Sequence, residues 1–436
     1  MTRRRLAAWV LISGALVLFL YLAVRIPATE ARFLPSESAA YIPAESVPYA
    51  DYIAENRRRI RQALEVGYFA REEQPFGPAY SVDVVVSMRA PFEIRPAPGR
   101  CDSRAAMPGA GFLLIHGLTD SPYLLSEVAA RLAERYPCAY IRSLLLPGHG
   151  TVPGDLLDVS LSDWRQVVRY GVQSFSGQVS ELHLIGYSNG ATLAIDYLQE
   201  HPEEDSISSV ILLSPGLAAA QQSIALAPLL KYVVAWASRG ADRDAAKYDS
   251  LATNAAALFY QLTRKITGPE QPVLKRPVFM VVSGDDTTVD TESAAEYFCQ
   301  RATAPGSKLL WYRSKVTDTS PSVDCPGLEI ADVEEPDWRF VSHSHVAISM
   351  PPDNTHYGLD GHYAICSAYG KVPELLDQCY TDNRNTVYGE NTVRDESLLF
   401  QGRVVRRASF NPLFDELMKA VICFVENSCP GPATSE

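Results

Sequence analysis

The chain is 436 residues long and 47% hydrophobic, enough for one large domain with insertions, or two domains, around a sizeable core. A formal net charge of -12 and a pI near 5.3 argue against nucleic acid or an anionic membrane surface as a partner, because either polyanion would be repelled. Charged residues make up 21% of the chain and form no long like-sign blocks, the pattern of a solvated surface.

In chain order, the first feature is Arg3-Arg4-Arg5 followed by nineteen uncharged residues, Leu6 to Val24, closed by Arg25 and Pro27. A helix crosses a bilayer in about 20 residues, whereas the apolar region of a cleaved signal is usually about 7 to 15 long. Thr29-Glu30-Ala31 is a poor cleavage site. Residues 1–26 are therefore expected to be a transmembrane signal anchor. The arginines would face the cytoplasm and the rest of the chain would be exported, periplasmic or extracytoplasmic. Secretion after signal cleavage, or a buried core helix, are the alternatives. Residues 27–108 read as a tether, rich in Pro, Ala, Ser and Glu up to Pro48, and an N-terminal extension with a helix over Asp51–Val66 and a strand over Val82–Met88.

From residue 109 onward short apolar runs alternate with helical periodicity. Phe112 to Ile115 ends in His116-Gly117, and Ser121 to Tyr136 is helical. Cys138 to Ile141 is a strand leading to Leu146-Pro147-Gly148-His149-Gly150, and a helix follows from Ser160 to about Ser174. Leu182 to Ile185, Val210 to Leu213, Pro277 to Val282 and Lys308 to Tyr312 supply further strands, with a helix over Ala191–Gln199. Continuous apolar strands alternating with helices predict an α/β fold, a mostly parallel central sheet with helices on both faces. Two stretches interrupt it: 217–271, mostly helical and suited to a helical cap insertion, and the polar, acidic 313–340. The expected domain is 109–436, with a C-terminal extension from about residue 357.

Gly186-Tyr187-Ser188-Asn189-Gly190 lies between a predicted strand and a predicted helix. G-x-S-x-G is common by chance, but this placement makes it a candidate nucleophile elbow with Ser188 at the tip. A serine hydroxyl is too weak an acid to attack an ester at neutral pH, so a histidine must accept its proton and a carboxylate must orient the imidazole. The expected order is Ser, acid, His. Asp285, Asp286 and Asp290 compete at the end of the strand 277–282. Asp286 is favoured because Val289 returns the turn to the core, with a helix N-cap as the structural alternative for an aspartate here. Among His343, His345, His356 and His362, His345 is favoured as base because it leads into Val346-Ala347-Ile348-Ser349. His356 and His362 are expected to hydrogen-bond or pack near Tyr357 and Tyr363, and His116 to brace its loop. The developing oxyanion needs two N–H donors, expected from the backbone of Asn189 and of Leu118. No helical i, i+4 histidine pair or E-x-x-H pattern supports a zinc site, and no metal or cofactor is expected.

The eight cysteines form no C-x-x-C pair, and their spacing suggests the pairs Cys101–Cys138, Cys299–Cys325, Cys366–Cys379 and Cys423–Cys429, in keeping with export.

Together the stretches Phe112 to Pro122, Leu146 to Gly150 and Gly186 to Gly190 resemble the α/β-hydrolase superfamily, and within it the monoglyceride lipase and carboxylesterase branch. The first resembles its oxyanion loop and the second its P-G-H-G turn. The likeness covers about residues 110–300 and, more loosely, 342–358. It implies the α/β-hydrolase fold and a cofactor-free serine hydrolase acting on small-molecule or lipid-like carboxylic esters. Thioesterase, peptidase or acyltransferase chemistry on the same residues, and an inactive membrane-anchored binding module, are the rival readings. The 59 residues from Asp286 to His345 are longer than usual in such proteins and predict a looped-out insertion.

Overall fold

A computed structural model describes residues 30–428, apart from 39–40, 98, 100, 102–108, 334–338, 367–368, 370–371, 383–385 and 392–402, together with helical positions 9, 11–16 and 18. Twelve strands are described: β1 (Glu93–Ile94), β2 (Ala110–Ile115), β3 (Tyr140–Leu144), β4 (Glu181–Tyr187), β5 (Ile207–Leu213), β6 (Trp236–Ser238), β7 (Leu251–Ala252), β8 (Val278–Ser283), β9 (Lys308–Arg313), β10 (Leu328–Asp332), β11 (Val387–Gly389) and β12 (Val405–Arg407). The helices are α1 (Tyr49–Leu64), α2 (Val82–Arg89), α3 (Ser126–Arg135), α4 (Leu161–Gln173), α5 (Asn189–Glu200), α6 (Ala227–Leu230), α7 (Thr253–Ile266), α8 (Thr291–Arg301), α9 (Pro373–Thr381) and α10 (Phe414–Val425).

Eight strands form one sheet in the order β1-β3-β2-β4-β5-β8-β9-β10, parallel throughout except for the antiparallel edge strand β1. Both faces are covered, which explains why the central strands read as unbroken apolar runs rather than alternating ones. Leu113, Ile115 and Leu184 point to the face packed by residues of α4, α5, α7 and α8, including Val167, Leu193, Leu262 and Phe298. Their neighbours Phe112, Leu114 and Ile185 point to the other face, filled by Leu132 of α3 and Leu417 and Val421 of α10. This is the predicted α/β-hydrolase architecture. Strand β10 lies within the stretch read as a polar loop. Its five residues, Leu328-Glu329-Ile330-Ala331-Asp332, are too short and too exposed to stand out in an acidic stretch, and pairing with β9 alone brings it into the sheet.

The predicted transmembrane signal anchor, and with it the membrane-anchored, exported placement, is not supported. Among the described residues no helix is long and apolar enough to cross a membrane. Of the stretch 6–24 only positions 9, 11–16 and 18 are described. The remainder lies outside the described residues.

Residues 30–38 and 41–48 lie against the sheet domain. Phe33 is buried edge-on to Trp236, and Ser36 donates through N–H and Oγ to the buried Asp155 at 2.5 and 2.8 Å. The stretch Val82–Met88 is a helix, not the predicted strand. Ser81 Oγ accepts from the Val84 N–H, capping it, and the helix buries Val85, Val86, Met88 and Arg89 against a cluster that includes Ile60 and Leu64 of α1. Valines disfavour a helix only slightly, and the cap and this packing override them.

Disulfides join Cys101–Cys138, Cys299–Cys325 and Cys366–Cys379. Cys423 is also disulfide-bonded, while Cys429, its expected partner, lies outside the described residues.

Candidate active site

The parallel register places the C-terminal ends of β2, β4, β5 and β8 along one edge of the sheet, where open α/β sheets collect ligands. Between β4 and α5 the chain reverses at Ser188, held at φ 52° and ψ -117°. A non-glycine residue rarely occupies this left-handed region, and such strain persists only where the surroundings enforce it. Here Ser188 N–H donates to the Leu213 carbonyl at 2.9 Å and the Ser188 carbonyl accepts from Gly216 at 3.1 Å. The flanking glycines are sterically required: a Cβ on Gly186 would overlap the backbone of Ala191, and one on Gly190 would overlap the carbonyls of Ile115 and His116.

Ser188 Oγ lies 2.9 Å from His345 Nε2, and His345 Nδ1 lies 2.6 Å from Asp286 Oδ2. Asp286 is fixed in turn, its Oδ1 accepting from the backbone N–H groups of Thr288 at 2.7 Å and Val289 at 3.1 Å. All three side chains are buried, with Ser188 only 7% exposed. The Tyr187 hydroxyl donates to the His345 carbonyl at 2.9 Å, so the residue before the serine also holds the loop that carries the histidine.

The rival residues are engaged elsewhere. Asp285 turns away to accept from Thr317 and Thr319 at 2.5 and 3.4 Å, and burial pushes its carboxyl up to about 6. Asp290 caps α8 by accepting from the Ser293 N–H. His343 stacks on Tyr312 and donates through Nε2 to Asn411 Oδ1 at 2.6 Å, and burial holds it down to about 4. His356 lies 2.5 Å from the Tyr80 hydroxyl and 2.8 Å from Asp244, which also accepts from Tyr357. His362 meets Tyr80 edge-on.

His116 braces its loop as a neutral imidazole, accepting from the Leu146 N–H at 3.0 Å and donating to the Gly117 carbonyl at 2.8 Å. Burial, with His149 alongside, holds its basicity well below the usual histidine range. This keeps Gly117 tight against the elbow, where a Cβ would sit 3.0 Å from Ser188 Cβ, and Leu118 is next in the chain. Asn189 is the first residue of α5, so its N–H has no carbonyl partner within the helix. Among the described residues no group of three or more His, Cys, Asp or Glu is arranged to hold a metal ion.

Three features bearing on the site had no signal in the sequence reading. Asn411 braces the histidine loop, donating through Nδ2 to the Ile348 carbonyl at 3.2 Å while its N–H reaches Met350 at 2.7 Å. Ser344 Oγ donates to the Ala408 carbonyl at 2.5 Å. Glu390 and Arg407 form a buried pair behind Asp286. The Asn411 and Ser344 contacts each reach across 60 or so residues, beyond any local pattern. A hydroxyl beside an imidazole that is itself braced by a carboxylate is the arrangement nucleophilic acyl transfer uses.

A thermostable monoacylglycerol lipase from Bacillus sp. (strain H-257) is 32% identical to the chain over 95 residues, a match spanning 21% of this chain and 36% of the lipase. Among solved structures, the chain is similar to a monoacylglycerol lipase from Paleococcus ferrophilus, at 18% identity and TM-score 0.40 over 51% of this chain and 87% of that one. It is likewise similar to a soluble variant of monoglyceride lipase from Saccharomyces cerevisiae, at 16% identity and TM-score 0.40 over 51% and 82% of the two chains. The alpha/beta hydrolase family model matches residues 112–333, about half of the chain, from β2 through the elbow and the acid turn to the residue after β10. By that match, the chain belongs to the alpha/beta hydrolase family.

Proposed function

We propose that the protein is a serine hydrolase that cleaves carboxylic esters through an acyl-enzyme on Ser188, with His345 as base and Asp286 as the orienting acid. The observation that carries this reading is the unbroken relay Ser188 Oγ to His345 Nε2 to Asp286 at 2.9 and 2.6 Å, on a strained turn at the C-terminal edge of the sheet. His345 takes the Ser188 proton as Oγ bonds to the ester carbonyl carbon. The oxyanion formed is held by the backbone N–H groups of Leu118 and Asn189. The carbonyl re-forms, the carbon–alkoxide bond breaks, and His345 returns the proton to the leaving alcohol. Water then attacks the acyl-enzyme by the same route.

The segment 217–271 acts as a cap in this reading, and its composition favours lipid-like esters. Ahead of α7, which packs on the sheet, it carries α6 and the β6–β7 pair, and around α6 it presents Leu226, Leu229, Tyr232 and Val233 to solvent, Leu229 at 73% and Tyr232 at 80% exposure. A surface of that kind suits a substrate with a long apolar chain. Residues 27–108 serve as an N-terminal extension and the chain from about 357 as a C-terminal one.

A fluorophosphonate probe tests the chemistry: it is expected to label the wild type at Ser188 and to leave Ser188→Ala unlabelled. A folded wild type that resists the probe sinks the proposal. Turnover of p-nitrophenyl and monoacylglycerol esters of graded chain length tests the substrate class. The expected result is a preference for longer acyl chains, and a profile that falls with chain length removes the lipid-like reading while leaving the esterase.

A further inference from the structure

Arg407 and Glu390 belong to the C-terminal extension, outside the stretch matched by the family model. They end the two-stranded parallel ribbon β11–β12, whose register pairs Gly389 with Arg407. Arg407 grips Glu390 at both ends, Nε to Oε1 and Nη2 to Oε2 each at 2.8 Å. The Glu390 side chain is fully buried and that of Arg407 is 17% exposed. A buried ion pair is weak evidence for stability, because the desolvation of two charges offsets much of their attraction, so this pair calls for another role.

Its remaining contacts lead to the relay. Arg407 Nη2 also donates to Thr288 Oγ1 at 2.9 Å. Thr288 is the residue whose own N–H holds Asp286 Oδ1 at 2.7 Å. The Glu390 N–H donates at 2.8 Å to Ser342 Oγ, on the loop that carries His345. One pair therefore grips the acid's turn with its cation and the base's loop with its backbone. The guanidinium is also close enough to attract the Asp286 carboxylate.

We infer that Arg407 and Glu390 are a positioning pair for the Asp286–His345 couple, aligning the two side chains and setting how strongly Asp286 stabilises protonated His345. The inference rests on the proposed roles of Ser188, His345 and Asp286. The cation competes with the imidazolium for the same carboxylate, and the Glu390 carboxylate opposes that competition. The other titratable and charged groups facing the couple are Asp120 on the loop after β2 and Tyr187 at the end of β4, while Asp285 on the acid turn interacts with Glu390. Lys247 and Asp244 of the inserted segment interact with Asp120 in turn.

The test is the pH dependence of kcat/KM on a p-nitrophenyl ester, normalised to the fraction of enzyme labelled by a fluorophosphonate. Arg407→Gln is expected to lower kcat roughly ten- to a hundred-fold with little change in KM. It should also move the acid limb up by about half a pH unit or more. Glu390→Gln should move that limb the opposite way, and Arg407→Lys should recover part of the wild-type profile. Should either single variant fail to fold, the apolar double variant Arg407→Met with Glu390→Leu leaves no unpaired charge. It should fold, keep the limb near its wild-type place and still lose turnover. Limbs that stay put, or move together in both single variants, overturn the inference while the labelled wild type leaves the serine hydrolase reading standing. An unlabelled wild type fails that reading first.

Discussion

Ser188 and Asp286 sit just past β4 and β8, so the ladder of the parallel sheet sets where they lie, and short backbone hydrogen bonds finish the job. His345 sits on 341–350, a stretch with no helix or strand, and side chains hold it instead. Tyr187 and Ser283 reach it from strands of the sheet, and Asn411 and Ala408 from the last part of the chain. A sheet-borne group tolerates the loss of any one neighbour because many backbone bonds share its placement. A loop-borne group depends on a few bonds, each worth about 1–3 kcal/mol when its partner is left buried and unpaired.

Four substitutions test that contrast, taken from the largest expected effect. His345→Ala should lower turnover by roughly four to six orders of magnitude with little change in melting temperature, because the members of such a relay act as a unit. His343→Ala, two residues away, should do the reverse, and turnover measured beside thermal melting separates them. An inactive but stable His343→Ala would reassign the base. On the sheet side, Gly190→Ala should destabilise by about 3 kcal/mol or more, because no rotamer relieves a clash between Cβ and two carbonyl oxygens. Denaturant unfolding reads this, and a melting point within a degree or two of wild type would show that the elbow has room to shift. On the loop side, Asn411→Ala should destabilise by about 2 kcal/mol by unpairing His343 and the Ile348 carbonyl. Hydrogen exchange should rise over 341–350 and not over β4. Uniform exchange would deny the loop its separate support.

The smallest effect is a gain. Burial raises the Asp285 carboxyl to about 6 in the folded chain, from about 3.8 when unfolded. The folded state then binds more protons between those values. This contribution is full below the lower pKa and is lost as pH rises through about 6. Asp285→Asn should therefore stabilise the protein by roughly 1–2 kcal/mol above pH 7, with the gap closing toward pH 4. Its turnover should match the wild type. An inactive Asp285→Asn would move the acid from Asp286 to its neighbour.

The same contrast explains what could be read from the chain. Phe112–Ile115, Leu182–Ile185, Val210–Leu213 and Pro277–Val282 are legible as strands because a sheet buried on both faces leaves an unbroken apolar run, and G-x-S-x-G marks the turn where one of them ends. Val82–Met88 misleads because β-branched composition says nothing about the cap at Ser81 or the face of α1 on which the helix docks. β10 is hard to read because an edge strand of five residues, half open to water, carries only the short apolar signal of Leu328, Ile330 and Ala331. The stretch 6–24 has the composition of a membrane span, yet no described helix has the length for one. Asp286 and His345 are legible as candidates from chain order and strand ends, but what sets them apart from Asp285 and His343 is where each side chain points. Arg407, Glu390 and Asn411 act over separations that no local periodicity encodes.

The lateness of the histidine's braces has a bearing on biosynthesis. A ribosome releases the sheet, the elbow and the acid turn well before Ala408, Asn411 and α10, which covers one face of the sheet. A nascent chain therefore holds its serine ready while the imidazole is still unsupported. Chains stalled short of residue 408 should therefore take up a fluorophosphonate far more slowly than chains extended past Asn411.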